Sequence, residues 1–306
     1  MGFMGFKRAL TLSSAALLLL GLQVQAMPET EAAAKASGVT AKVAKPAAAP
    51  ATDACGPRKK RPGGGYYTCT FADDFDGWTL DPTYWHVMEN ATSGAACYVN
   101  SPDTVAVSDG QLHLTARPAT DPATCPARAN GTRPSYMTGA VNTFWKWSQQ
   151  YGRFEVRMKS PVASGAGPHE AFWLWPDTRY SSDANWPASG EIDVAETYAA
   201  YPTLNIPFLH YSWNDNGGPR PGLNTSWSCL ALRGQWHTYV LEWTASKLTI
   251  SVDGLTCLTN SKGASSFRKP FIMALSQLVD DTGVNAIQDG SALPSTMDVD
   301  YVKVWQ

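Results

Sequence analysis

Ser189-Gly190-Glu191-Ile192-Asp193-Val194-Ala195-Glu196 places three carboxylates within six residues, on a segment that is otherwise apolar and β-prone. Side chains alternate across a strand, so Glu191 and Asp193 share a face and Glu196 would point away from them in a regular strand. One extra residue, inserted as a β-bulge, returns Glu196 to the face of the other two. Three carboxylates crowded on one face repel one another, and at least one keeps a proton near neutrality. An acid and an ionised partner drawn from the same residue type are what cleavage of a glycosidic bond requires. The same composition also suits a hard cation or a merely solvated strand.

The elements that must position these groups read as β-structure. Phe154, Val156 and Met158 alternate with Glu155, Arg157 and Lys159; Leu248, Ile250 and Val252 alternate with polar residues before the turn pair Asp253-Gly254. Leu112 and Leu114 follow Asp109-Gly110, and further strands are expected over 236–243, 208–213 and 271–277. Many short strands with Gly and Asp turns predict an all-β sandwich. No internal repeat or long helical period is present.

The organisation of the chain follows from its composition. Lys7 and Arg8 precede a 14-residue, largely apolar run from Ala9 to Leu22, and Val24-Gln25-Ala26 offers the small residues a signal peptidase reads. Residues 1–26 read as a secretory signal peptide, and the run is too short for a membrane anchor. Removing them leaves 22 basic against 26 acidic residues, a formal charge of −4, with no electrostatic footprint for nucleic acid. Residues 27–54, rich in Ala, Pro, Lys and Thr, read as a flexible linker, and 55–306 as one domain. A monomer is expected. Its six cysteines, at 55, 69, 97, 125, 229 and 257, suggest disulfides in an exported chain. Six cysteines allow 15 pairings; nearest-neighbour pairing is expected because it closes short local loops.

Other chemistries find no motif. His169-Glu170 lacks the second His of H-E-x-x-H, and neither G-x-S-x-G nor a phosphate-binding glycine loop occurs.

The 191–196 segment resembles the E-x-D-x-x-E signature of glycoside hydrolase family 16, in the bulged form of its laminarinase-like branch. Phe71-Ala72-Asp73-Asp74-Phe75, Tyr151-Gly152-Arg153-Phe154-Glu155-Val156-Arg157 and Met297-Asp298-Val299-Asp300-Tyr301-Val302 resemble that family's opening, central and closing segments, in the same order. The resemblance implies a β-jelly roll of two curved antiparallel sheets with a substrate cleft on the concave one. It also implies a retaining mechanism, with Glu191 as nucleophile, Glu196 as general acid/base and Asp193 tuning their protonation. Retention requires carboxyls about 5–5.5 Å apart.

Aromatic faces hold neutral sugars. Trp173 and Trp175 share a strand face before the signature, and the resemblance favours Trp173 beside the cleaved bond. Trp186, His210, Tyr211 and Gln277 are further substrate-binding candidates, each with a purely structural alternative. No cofactor is required; a structural calcium ion near Asp74 or Asp300 is what several family members would suggest. The segments 168–198 and 204–217 contain Arg179 as their only Lys or Arg, which favours a neutral polymer. The polysaccharide implied is a β-1,3-glucan, against a galactan or a noncatalytic carbohydrate-binding role.

Overall fold

The computed structural model describes residues 52–212, 219–263 and 265–306. The expected signal peptide, the linker as far as residue 51, and Trp213 at the end of the expected 208–213 strand lie outside the described residues. Thr52–Asp53 pairs with Gly56–Pro57 in a short hairpin, so the last residues of the expected linker pair with the first residues of the expected domain.

Two large sheets make the described domain. The first has eight strands, and across it run Leu204–Asn205, Glu191–Tyr198, Pro168–Pro176, Phe271–Val279 and Ala140–Asn142 as successive neighbours, with Phe208–His210 also paired to Glu191–Tyr198. The second has eleven strands around Gly152–Lys159, Ser295–Trp305 and Gln111–Pro118. Among the described strands, pairing is antiparallel except between Ala96–Tyr98 and Tyr136–Thr138, which run parallel. This is the all-β sandwich the strand pattern predicts, in the jelly-roll form that the resemblance implies.

The period-two patterns fall where the sequence places them. Phe154, Val156 and Met158 are fully buried, as are Leu112 and Leu114. They meet Phe172, Leu174, Ile192, Met273 and Leu275 of the other sheet in one hydrophobic core. The turn pairs Asp109-Gly110 and Asp253-Gly254 adopt positive φ at both residues (52° and 71°; 50° and 81°), as a two-residue hairpin turn demands. Cys55–Cys69, Cys97–Cys125 and Cys229–Cys257 form three disulfides, the nearest-neighbour pattern.

Sheet pairing decides which side chains face outward from the first sheet. In Pro168–Pro176, Phe172 and Leu174 enter the core, so His169, Ala171, Trp173 and Trp175 lie on the opposite, open face. Glu170 also turns inward. It is fully buried and receives two hydrogen bonds from Arg233 (2.6 and 2.8 Å) and one each from Thr197 (2.9 Å) and Gln277 (3.0 Å).

Candidate active site

The strand Glu191–Tyr198 carries the expected bulge. Ala171 pairs with Glu196, Phe172 with Ala195 and Trp173 with Asp193, so Val194 is the residue left out of the register. Ile192, Val194 and Ala195 are all buried in the core. Glu191, Asp193 and Glu196 are thereby brought to one face of the first sheet, opposite Trp173 and Ala171. The preceding Gly190 has φ +91°, and a Cβ there would meet the Ser266 carbonyl oxygen at 2.8 Å, so only glycine lets the chain enter this strand at that angle.

Each carboxyl has its own surroundings. Trp186 Nε1 donates to Glu191 Oε2 at 2.6 Å. Asp193, 4% exposed, has His210 Nε2 3.4 Å from Oδ2. At Glu196, the Tyr198 hydroxyl donates to Oε1 at 2.9 Å and His169 Nε2 stands 3.3 Å from the same oxygen. Asn205 Oδ1 accepts from the Glu196 backbone N–H (2.8 Å) and its Nδ2 donates to the Val194 carbonyl (3.1 Å), so one side chain clamps the bulge.

The electrostatics follow from this crowding. Burial, and after it the charge of Asp193, pushes the Glu191 carboxyl up to about 8, against the pull of His210 and of the Trp186 hydrogen bond. Burial, and then the charge of Glu196, pushes Asp193 well above the ordinary carboxylate range, with His169 opposing. Glu191 and Asp193 therefore favour their protons near neutral pH as a coupled pair. The more deeply buried Asp193 is where a proton is best kept, and once it is neutral its charge no longer opposes ionisation of Glu191.

A hollow of about 200 Å³ beside Glu191 is lined by Trp173, Trp175, Phe144, Asn142, Ile272 and Ala274. Trp173 and Trp175 meet edge to face (6.1 Å, 84°), each fixed by its indole N–H: Trp173 to Ser276 Oγ and Trp175 to Asp183 Oδ2, both at 3.0 Å. Trp186 is 38% exposed and leans on His210 (5.1 Å). A second hollow of about 280 Å³, lined by Tyr198, Tyr201, Phe208 and Trp227 among others, lies on the Glu196 side.

Two expected site residues lie elsewhere. Tyr211 follows His210 and so turns to the inner face, where it packs against Phe267 (5.9 Å) and its hydroxyl accepts from Asn260 (3.1 Å). Gln277 is fully buried on Glu170 because it pairs with an inward residue; Ser276, its neighbour, is the one that faces outward. His169, Tyr198 and Asp280 were not anticipated as site residues. The alternation of His169 with Ala171, Trp173 and Trp175 was the available signal for the first.

The ligand atoms of Glu191, Asp193 and His210 lie within 4.8 Å of one another. Three donors, two of them carboxyls that favour their protons, do not suit calcium, which takes six to eight oxygens. Asp74 and Asp300 are engaged by Lys303 (2.7 Å) and Arg157 (2.6 Å), and neither joins a cluster of three ligating groups among the described residues.

The chain is similar to the glucan endo-1,3-beta-glucosidase A1 of Niallia circulans, with 30% identity over an alignment of 267 positions that covers 76% of this chain and 37% of that protein. It is 28% identical to the endo-1,3-1,4-beta-glycanase EglC of Rhizobium meliloti (strain 1021), over 78% of this chain and 51% of that one. It thus spans between about a third and a half of the length of these two relatives. The laminarinase of Rhodothermus marinus superposes with a TM-score of 0.66 at 25% identity, over 78% of this chain and 97% of that structure. The family model "Glycosyl hydrolases family 16" matches residues 92–302, which contain the bulged carboxylate strand and the tryptophans beside it, and the chain belongs to that family.

Proposed function

We propose that the protein is a secreted, endo-acting, retaining hydrolase of β-1,3-glucan. The observation that carries this reading is the bulge at Val194, which gathers Glu191, Asp193 and Glu196 on the open face of the sheet next to Trp173 and Trp175. Glu191 is the nucleophile and Glu196 the general acid/base. Glu191 attacks the anomeric carbon while Glu196 gives its proton to the departing oxygen; Glu196 then takes a proton from water, which releases the sugar from Glu191 with its configuration restored. Asp193 holds a proton between them, so that Glu191 can carry the negative charge. Trp173 and Trp175 offer faces for the sugar rings on the nucleophile side.

A neutral polymer is favoured because Arg179, the one Arg or Lys in the flanking segments, is engaged by Asp177 at 2.6–3.1 Å and by the Trp145 carbonyl at 2.9 Å. A β-1,3-linkage is favoured by the glucanases to which the chain is similar. Hollows on both sides of the carboxylates support attack within a chain. Export is supported by the basic-then-apolar start of the sequence and by three disulfides, which persist in oxidising compartments. Among the described residues no helix is long and apolar enough to cross a membrane.

Purified protein supplied with laminarin, lichenan, agarose and carrageenan tests this reading. Laminarin should yield short oligosaccharides whose reducing ends are β in the first minutes of a proton NMR time course. An α product appearing first would exclude retention, and turnover of agarose alone would move the substrate to a galactan.

A further inference from the structure

We propose that His169, clamped by Asp280, is a positioning residue for Glu196: with Tyr198 it aims donors at Oε1 and so leaves the acidic proton on Oε2. This rests on Glu196 being the acid/base. The strand register sets His169 opposite Tyr198, and its ring stacks on the tyrosine ring (4.1 Å, 27°). One nitrogen, Nδ1, is 3.2 Å from Asp280 Oδ1; the other, Nε2, is 3.3 Å from Glu196 Oε1. Asp280 is itself held by Asn285 Nδ2 (2.9 Å), and Asn285 is tied to the backbone at Gly167, Pro168 and Ala200. The chain Asn285–Asp280–His169–Glu196 thus runs from a fixed backbone to the carboxyl.

Both side-chain contacts to Glu196 fall on Oε1. An oxygen that accepts from a phenol and faces an N–H is the carbonyl-like oxygen of a carboxylic acid, and the exchangeable proton belongs on the other one. The ring must then be imidazolium, because a neutral ring giving Nδ1–H to Asp280 would present a bare Nε2 to Glu196 and compete for its proton. The groups facing the ring agree with this. Asp280 comes from the segment after Phe271–Val279; Glu196, Asp193 and Tyr198 come from the neighbouring strand. Burial alone would lower the affinity of His169 for its proton, but the hydrogen bonds and charges of Asp280 and Glu196 outweigh it and push it up to about 10. Nε2 is buried without an aligned hydrogen bond. It can therefore tighten on Oε1 as Glu196 gains charge on losing its proton, which favours the transition state over the ground state.

His169→Gln keeps a neutral donor and removes the charge. It should slow laminarin cleavage by about tenfold or more, yet slow a dinitrophenyl β-glycoside, whose leaving group needs no acid, by less than about threefold. It should also move the alkaline limb of kcat/KM up by about one pH unit, since a carboxyl relieved of an adjacent cation keeps its proton longer. Asp280→Asn provides the same test should the first variant not fold. Nitrogen-15 NMR of the histidine rings should show His169 doubly protonated at pH 8 in the wild type, and its titration should fall in Asp280→Asn and in Glu196→Gln. Equal losses on both substrates with an unmoved limb, or a neutral His169 at pH 7, would overturn the proposal. A wild type that cleaves no glucan but shows the imidazolium and its dependence on Glu196 would instead refute the functional reading and leave this one standing.

Discussion

Replacing Glu191 by Gln should abolish turnover and at the same time stabilise the protein, with a pH dependence that identifies the cause. The Glu191 carboxyl is raised from 4.5 to about 8 in the fold, first by burial and then by Asp193. An acid whose folded value lies above its unfolded one binds more protons in the native state, so its contribution to stability is intact below about pH 4.5 and falls as pH rises toward 8. At pH 7 the unfolded chain has released its carboxyl protons, whereas the folded Glu191–Asp193 pair still shares one, which resides mainly on Asp193 when Glu191 is the ionised nucleophile. The difference of about 2.5 pH units, at 1.36 kcal/mol each, amounts to about 3 kcal/mol lost. Gln is neutral in both states and avoids that loss. In a domain of this size, at about 2–4 °C per kcal/mol, the gain corresponds to roughly 6–12 °C in Tm. Calorimetry of both proteins between pH 4 and 8 should give near-equal midpoints at pH 4 and a widening gap above it. A variant less stable than the wild type at pH 8, or a gap that does not change with pH, would refute the electrostatic account of the cleft.

Arg233→Met should cost about 3–5 kcal/mol, because it strands the fully buried Glu170 carboxylate between the sheets. Urea titration reads this, and adding Glu170→Met should recover much of the loss. Trp173→Ala should lower kcat/KM by roughly 10–100-fold through both kcat and KM, since stacking positions the sugar at the reacting carbon as well as binding it. Trp173→Phe should restore part of this, lacking only the hydrogen bond to Ser276; equal losses in the two variants would argue against stacking. The denatured protein should show no free thiol without reductant. Reduction should lower Tm, each bridge, closing 14 or 28 residues, contributing on the order of 3 kcal/mol through the unfolded state.

Much of this architecture is local and therefore legible in the chain. Alternation of Phe154, Val156 and Met158, or of Leu248, Ile250 and Val252, names a strand and its buried face because the period of two is a property of the backbone alone. Asp253-Gly254 and Asp109-Gly110 name their hairpins for the same reason. The spacing of Glu191, Asp193 and Glu196 even implied the bulge, since no regular strand could place all three together. Register between strands is a different kind of fact. Tyr211 and Gln277 each sit one residue from an outward-facing neighbour, His210 and Ser276, and a shift of one residue exchanges the faces. The apolar run 271–277 is buried on both faces, so it carries no alternation from which that choice could be read. The His169–Asp280–Asn285 chain joins residues more than a hundred positions apart, and Glu170–Arg233–Gln277 joins three strands or loops at the sheet interface. What the sequence alone determined was the chemistry of the carboxylate strand and the class of fold that carries it. Which polar groups surround those carboxyls, and so where their protons reside, was decided by strand pairing, because only the folded sheet brings them within hydrogen-bond reach.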